Sequence, residues 1–216
     1  MLHYYMSSTM KMTMRHGIVV STVAILVGYY FNSQYSPDQR FTLFFLNKTV
    51  ANLAIVLIAI SYLLGSLCIL IPGFARYLSY RRHFGVAGFL AVVVHIILAF
   101  LQWNARFPFS WYVGHKYGVT AAIGATLIFT ALALTSHNRL IKDLGSKRWK
   151  FVQRLGYLAL ILGLFHVYIA AGNRWQQWLA GEVDMPNSVV AFGAGVLILI
   201  VRLLALLHGS FSKRKR

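Results

Sequence analysis

Apolar residues in this chain come in long blocks rather than with the short period of a half-buried strand or an amphipathic helix. A segment that crosses a hydrocarbon core of about 30 Å needs about 20 mostly apolar residues. Six blocks meet or approach that length, at about 17–31, 50–71, 84–103, 117–136, 152–172 and 188–207. The first is short and follows Lys11, Arg15 and His16. The stretch SQYSPDQR after it offers no convincing small-residue cleavage site, so it reads as an uncleaved helix rather than a signal peptide. Pro72-Gly73 stops the second block. The loop 104–116 carries Pro108 with Phe107, Phe109 and Trp111. The pattern predicts an all-α fold: a polytopic membrane protein built as a six-transmembrane-helix bundle. Residues 1–16 precede the bundle, 17–208 form it, and a basic tail follows over 209–216.

Composition agrees with this reading, and charge orients it. Of 216 residues, 58% are hydrophobic and only 12% charged, against about a quarter charged in soluble domains. The net charge of +17 would suggest nucleic acid on a soluble protein. Here no nucleic-acid partner is expected, because the charge follows the topology. With six spans both termini share one side. That side then collects 16 basic residues, among them Arg76, Arg81, Arg82, Lys147, Arg148, Lys150 and Arg154, with one acid, Asp143. The other side holds Arg40, Lys48, Arg106, Lys116 and Arg174 with the remaining three acids. The positive-inside rule makes the first side, and so both termini, cytoplasmic. Trp103, Trp111, Trp175 and Trp178 fall at the opposite interface, as aromatic belts do. Cys68 is the only cysteine, which excludes an internal disulfide and a thiolate cluster, and it reads as a packing residue.

Two of the blocks carry one histidine each, His95 and His166. Counted from the cytoplasmic ends of their spans, they lie eleven and fourteen residues in, or about 17 and 21 Å at 1.5 Å per residue. Both therefore sit in the outer half of the bilayer at one depth. An ionisable ring there is expensive and marks a functional site by default. A haem iron held from both sides would account for the pair, since neutral imidazole is a suitable axial ligand. Two unrelated histidines hydrogen-bonded to neighbouring helices would also account for it. His3, His16 and His208 read as incidental.

The stretch Arg81-Arg82-His83-Phe84-Gly85 followed by His95 resembles the R-R-x-x-G-x9-H pattern of the ferric-reductase-like transmembrane domain family. The series Thr135-Ser136, Leu144-Gly145, Trp149, Tyr157 and His166 resembles the same family, in particular the haem-binding membrane subunits of bacterial periplasmic methionine sulfoxide reductase systems. The similarity covers about residues 50–175, four of the six spans. It implies a b-type haem with His95 and His166 as axial ligands, in the inner (plasma) membrane. It also implies electrons arriving from quinone or a cytoplasmic flavin reductase, with FMN as a further cofactor, and leaving to a periplasmic reductase partner. Some relatives reduce ferric iron or oxygen instead. Where the family has L-H-x-x-x-Y, this chain has Val152-Gln153-Arg154-Leu155-Gly156-Tyr157. Gln153 is a poor haem ligand, which puts a second, cytoplasmic-side haem in doubt. His83 and His137 lie at that edge and are either substitutes for the missing ligand or interfacial histidines in basic loops. His83 stands about 120° around the helix from His95, so the two do not share an ideal face.

Arg81, Arg82, Arg148 and Arg154 have two readings: contacts to anionic lipid headgroups, or pairing with haem propionates, a flavin phosphate or an acidic partner. On the outer side Arg106, His115, Lys116 and Arg174 are placed to serve the propionates of the outer haem. The functions to separate are a transmembrane electron carrier, a metal-reductase-type oxidoreductase, and a non-redox transporter or assembly scaffold. All four acids lie in loops, which counts against ion-coupled transport through a midplane carboxylate. No phosphate-binding glycine motif is present, so a self-contained nucleotide-dependent oxidoreductase is not expected.

Overall fold

The computed structural model describes residues 8–136 and 138–214. Its elements are α1 (Ser8–Ser33), α2 (Leu43–Leu70), a 3-10 turn (Pro72–Tyr77), α3 (Tyr80–Leu101), the short α4 (Phe109–Gly114), α5 (Lys116–Leu134), α6 (Asn138–Leu179) and α7 (Asn187–Arg214). Among the described residues, six helices are long and apolar enough to cross a membrane: α1 over Met12–Ser33, α2, α3, α5, α6 over Lys147–Leu179, and α7 over Asn187–His208. This is a multi-pass all-α membrane protein. A lipid-spanning segment must satisfy its own backbone groups, and helices do so.

The helices outrun their apolar blocks where polar residues continue the turn. α2 begins seven residues before the hydrophobic run, at Leu43, where the Thr42 hydroxyl caps the first turn by accepting from Phe45 N at 3.5 Å. It thereby takes in Asn47 and Lys48. α6 runs on to Leu179 and kinks at Gly145, whose φ is 72°. Within the loop 104–116, Pro108 starts α4.

The bundle is organised around α2, which packs along α3 and α7 and also touches α1 and α6. α5 pairs with α6, and α3 and α6 face each other with little direct packing. The core runs through Ile58, Ala59, Tyr62, Phe129, Leu160, Leu164 and Ile198. Ala159 and Ala191 are wholly buried. Small residues let backbones approach closely where hydrocarbon surrounds them and no hydrophobic force draws helices together. The outward faces are apolar too: Ile25, Leu127 and Phe100 are each more than 60% exposed in the isolated chain.

The two ends of the bundle differ. One end, here the aromatic end, holds the α1–α2, α3–α5 and α6–α7 connections. There Gln102 is buried and donates from Nε2 to Leu98 O at 2.7 Å and Leu43 O at 3.3 Å, tying the end of α3 to the start of α2. Arg40 donates to Ser33 O at 3.1 Å and Tyr35 O at 2.9 Å, closing the end of α1. Trp103 stacks on Tyr112, and Trp111 on His115. The other, basic end holds the 3-10 turn and the residues between α5 and the apolar part of α6.

Candidate functional site

α3 and α6 each present a histidine to the gap between them. The ring centroids of His95 and His166 lie 6.5 Å apart, with the planes inclined at 60°. Both rings are half-buried in the isolated chain. The Nδ1–H of His95 donates to Asn47 Oδ1 at 2.6 Å. The Nδ1–H of His166 donates to the carbonyl of Gly118 at 3.1 Å. Each acceptor fixes the tautomer, so both Nε2 atoms carry a lone pair. This is the arrangement of metal-ligating histidines, which give the other ring N–H to a carbonyl or carboxylate neighbour.

The spacing fits a metal between the rings. An imidazole–metal bond of about 2.0 Å plus about 1.1 Å from ring nitrogen to centroid, counted on both sides, gives about 6.2 Å. Among the described residues no group of three or more His, Cys, Asp or Glu gathers to hold a bare ion. Two imidazoles facing each other across a gap between weakly packed helices suit a planar macrocycle that supplies the other ligands itself.

Neither acceptor is accidental. Asn47 is only 4% exposed and lies in the second turn of α2. Gly118 lies in the first turn of α5, where a Cβ would meet the Cβ and Cγ2 of Ile169 at 2.9 Å. A glycine is required for α5 to come this close to α6, and that approach is what carries its carbonyl to His166. Sequence reading missed both residues. Asn47 lies just before the apolar block, and Gly118 acts through its backbone, which no side-chain pattern reveals.

At the basic end a pocket opens among α2, α3, α5 and α6, lined by Ser61, Tyr62, Arg81, Arg82, Ser136 and Gln153 over apolar walls that include Phe89 and Phe129. Arg81 is held by its neighbours: its carbonyl accepts from Ser61 Oγ at 2.8 Å, and its guanidinium lies 5.7 Å from the Tyr62 ring centroid. The Tyr62 hydroxyl rests where a Cβ on residue 156 would stand, so Gly156 has no room for a side chain. The Tyr62 and Tyr157 rings pack at 4.6 Å. One turn before Gln153, Trp149 keeps its Nε1 buried without a protein partner.

Of the remaining sequence candidates, Arg148 and Arg154 are exposed and do not line this pocket. His83 turns away from Gln153. Its Nδ1–H donates to Ser79 O at 3.1 Å, and its ring meets that of His16 at 4.8 Å. His16, read as incidental from sequence, is only 5% exposed; its Nε2 lies 3.2 Å from Ser79 Oγ and its ring 4.2 Å from Tyr80. A histidine at the polar head of an apolar block gives no sign of which helix it will meet. His137 and His3 lie outside the described residues.

The profile of the ferric reductase like transmembrane component family matches residues 50–164. The chain belongs to this family. The stretch matched by the ferric reductase family includes His95 and Gln153 and ends two residues before His166. Among curated relatives, the chain is 26% identical over 141 residues to the protein-methionine-sulfoxide reductase heme-binding subunit MsrQ of Polaromonas naphthalenivorans, covering 60% of this chain and 54% of that one. It is 32% identical over 124 residues to MsrQ of Herminiimonas arsenicoxydans, covering 56% and 52%. It is 24% identical over 234 residues to the metalloreductase STEAP2 of Mus musculus, covering 91% of this chain and 47% of the relative. The chain thus spans about half the length of these curated relatives.

Proposed function

We propose that this protein is a haem-binding membrane subunit that carries electrons across the bilayer, with a b-type haem between His95 and His166. The observation that carries the reading is the pair of imidazoles 6.5 Å apart with both Nδ1 atoms occupied and both Nε2 atoms free. The names of the MsrQ relatives support haem as the group that fits. A haem held by His95 and His166 would supply one-electron transfer. The protein's own part is to fix the two rings and to surround them with apolar helices. Asn47 and Gly118 hold the imidazoles, and the core from Ile58 to Leu164 keeps water away from that end of the gap.

The proposed organisation is a transmembrane domain over 17–208, flanked by residues 1–16 and 209–216. The positive-inside rule supports cytoplasmic termini, and the likeness to the MsrQ subunits supports a plasma (inner) membrane location. Electrons then enter at the basic end, where quinol or a cytoplasmic flavin reductase is the donor. The pocket of Arg81, Arg82, Gln153 and Ser136 supports this, because it offers cationic and polar donors to a carbonyl- or phosphate-bearing group such as FMN. Electrons leave at the aromatic end to an extracytoplasmic acceptor such as a periplasmic methionine sulfoxide reductase. A second haem does not suit the basic end: Gln153 stands at the ligand position, and Tyr62 packs directly on Gly156.

A metal-reductase role is the second reading. It is favoured by the match to the metalloreductase, which extends over 91% of this chain. The visible spectrum of the detergent-solubilised protein tests the common core of both. One haem per chain is expected, with a reduced b-type spectrum lost in both His95→Ala and His166→Ala. An absent Soret band after expression with ample haem would refute it.

A further inference from the structure

The aromatic end brings together three cations that the sequence scatters over α2, the α3–α4 loop and α6. Lys48 lies one residue beyond Asn47, the partner of His95, and snorkels back over its own helix so that its Nζ sits 4.3 Å from the Phe44 ring centroid. The loop after α3 folds over the start of α2, and the Arg106 guanidinium lies 4.3 Å from the same ring. Arg174, two turns beyond His166 on α6, joins Arg106 as an electrostatic neighbour of Lys48. Among the described residues, none of the three forms a salt bridge with Asp38, Glu182 or Asp184. Phe44 is therefore shared by two like charges, with a third nearby. Such a cluster repels itself unless an anion occupies it.

The position says which anion. Lys48 is tied to the α3 side of the histidine gap through Asn47, and Arg174 to the α6 side through its own helix. The three cations lie at the aromatic end of the bundle, the end at which Asn47, in the second turn of α2, meets His95. Haem carries two carboxylates on one edge of its ring, and a macrocycle held by His95 and His166 with that edge toward the aromatic end would bring them to these cations. Charge-assisted hydrogen bonds to carboxylates are the strong ones, and arginine and lysine supply them. We propose that Lys48, together with Arg106 and Arg174, holds the two haem carboxylates. The assignment rests on the haem reading above and adds Lys48, a residue that sequence inspection places in a loop. The other source of a carboxylate at this end is an anionic electron acceptor.

Two measurements on the detergent-solubilised full chain test this. The first is the haem midpoint potential by spectroelectrochemical titration. The second is the binding of haem against its dimethyl ester, which lacks the carboxylate charges, to protein expressed without haem. The unaltered protein is expected to prefer haem over the ester at least tenfold. Lys48→Met is expected to keep the reduced b-type spectrum. It should shift the ferric-to-ferrous ratio at fixed ambient potential about tenfold toward ferric, a fall of about 59 mV for one electron. In Lys48→Met/Arg106→Gln the preference for haem over the ester is expected to vanish, while Lys48→Arg restores both readouts. An unchanged potential and preference in the double variant overturn the assignment. So does a variant whose only defect is weaker binding of ferric citrate, which assigns the cations to the acceptor. If the unaltered protein takes up no haem at all, the haem reading itself falls, and this inference with it.

Discussion

Asn47 is a single polar side chain, nearly fully buried, whose oxygen accepts from one ring of the histidine pair at 2.6 Å. An amide in an apolar helix is costly unless its hydrogen bonds are met. Replacing it with leucine keeps the volume and removes the acceptor, leaving His95 free to turn and to change tautomer. Asn47→Leu is therefore expected to weaken haem binding about 10- to 100-fold, the usual loss for a partner of a metal-ligating histidine. Titrating haem into protein made without it measures this, and an unchanged affinity would show that the hydrogen bond does not orient a ligand. His95 and His166 were legible as candidates because a titratable ring inside an apolar block has little reason to be there otherwise. Asn47 was not, because Lys48 and Thr49 beside it make the block seem to start at residue 50.

At the level of elements, the contact between α5 and α6 sets where the second imidazole can be held. Gly118 lets the helices meet at Ile169. A methyl group there forces them apart or strains the isoleucine, and such overpacking costs about 1–3 kcal/mol. Gly118→Ala is expected to lower the thermal stability of the solubilised protein and its haem retention together, because the displaced carbonyl is the acceptor for His166. Gly114→Ala serves as the control, since nothing lies within 4 Å of its added Cβ. Equal effects of the two substitutions would mean that the close approach is not needed. The order and number of the long helices were readable from hydropathy, but their true ends were not. Hydropathy marks what sits in hydrocarbon, whereas a helix ends where capping and backbone hydrogen bonds end it. For that reason α2 extends past its apolar block to Thr42, and α6 to Leu179.

For the molecule as a whole, the charge asymmetry makes a topological claim that labelling can settle. In a Cys68→Ala background, Ser36→Cys at the aromatic end is expected to react with a membrane-impermeant maleimide on intact cells. Gly73→Cys at the basic end is expected to react only after permeabilisation. The reverse pattern would invert the protein and the direction of electron flow proposed for it. The amino-acid sequence by itself determined the membrane class, the six spans and the shared depth of His95 and His166. Hydrocarbon tolerates few backbone arrangements and penalises every misplaced charge, so these features are written in composition along the chain. What only the tertiary structure decided is which polar groups meet. His95 finds Asn47 and His166 finds Gly118, each 48 residues away. His83 turns to His16 rather than to Gln153, and Lys48 shares a ring with Arg106. A helix that is apolar nearly all round carries little sign of which face turns inward. Its rotation is set by small residues and close contacts such as Gly118 against Ile169, and those exist only once the helices have packed.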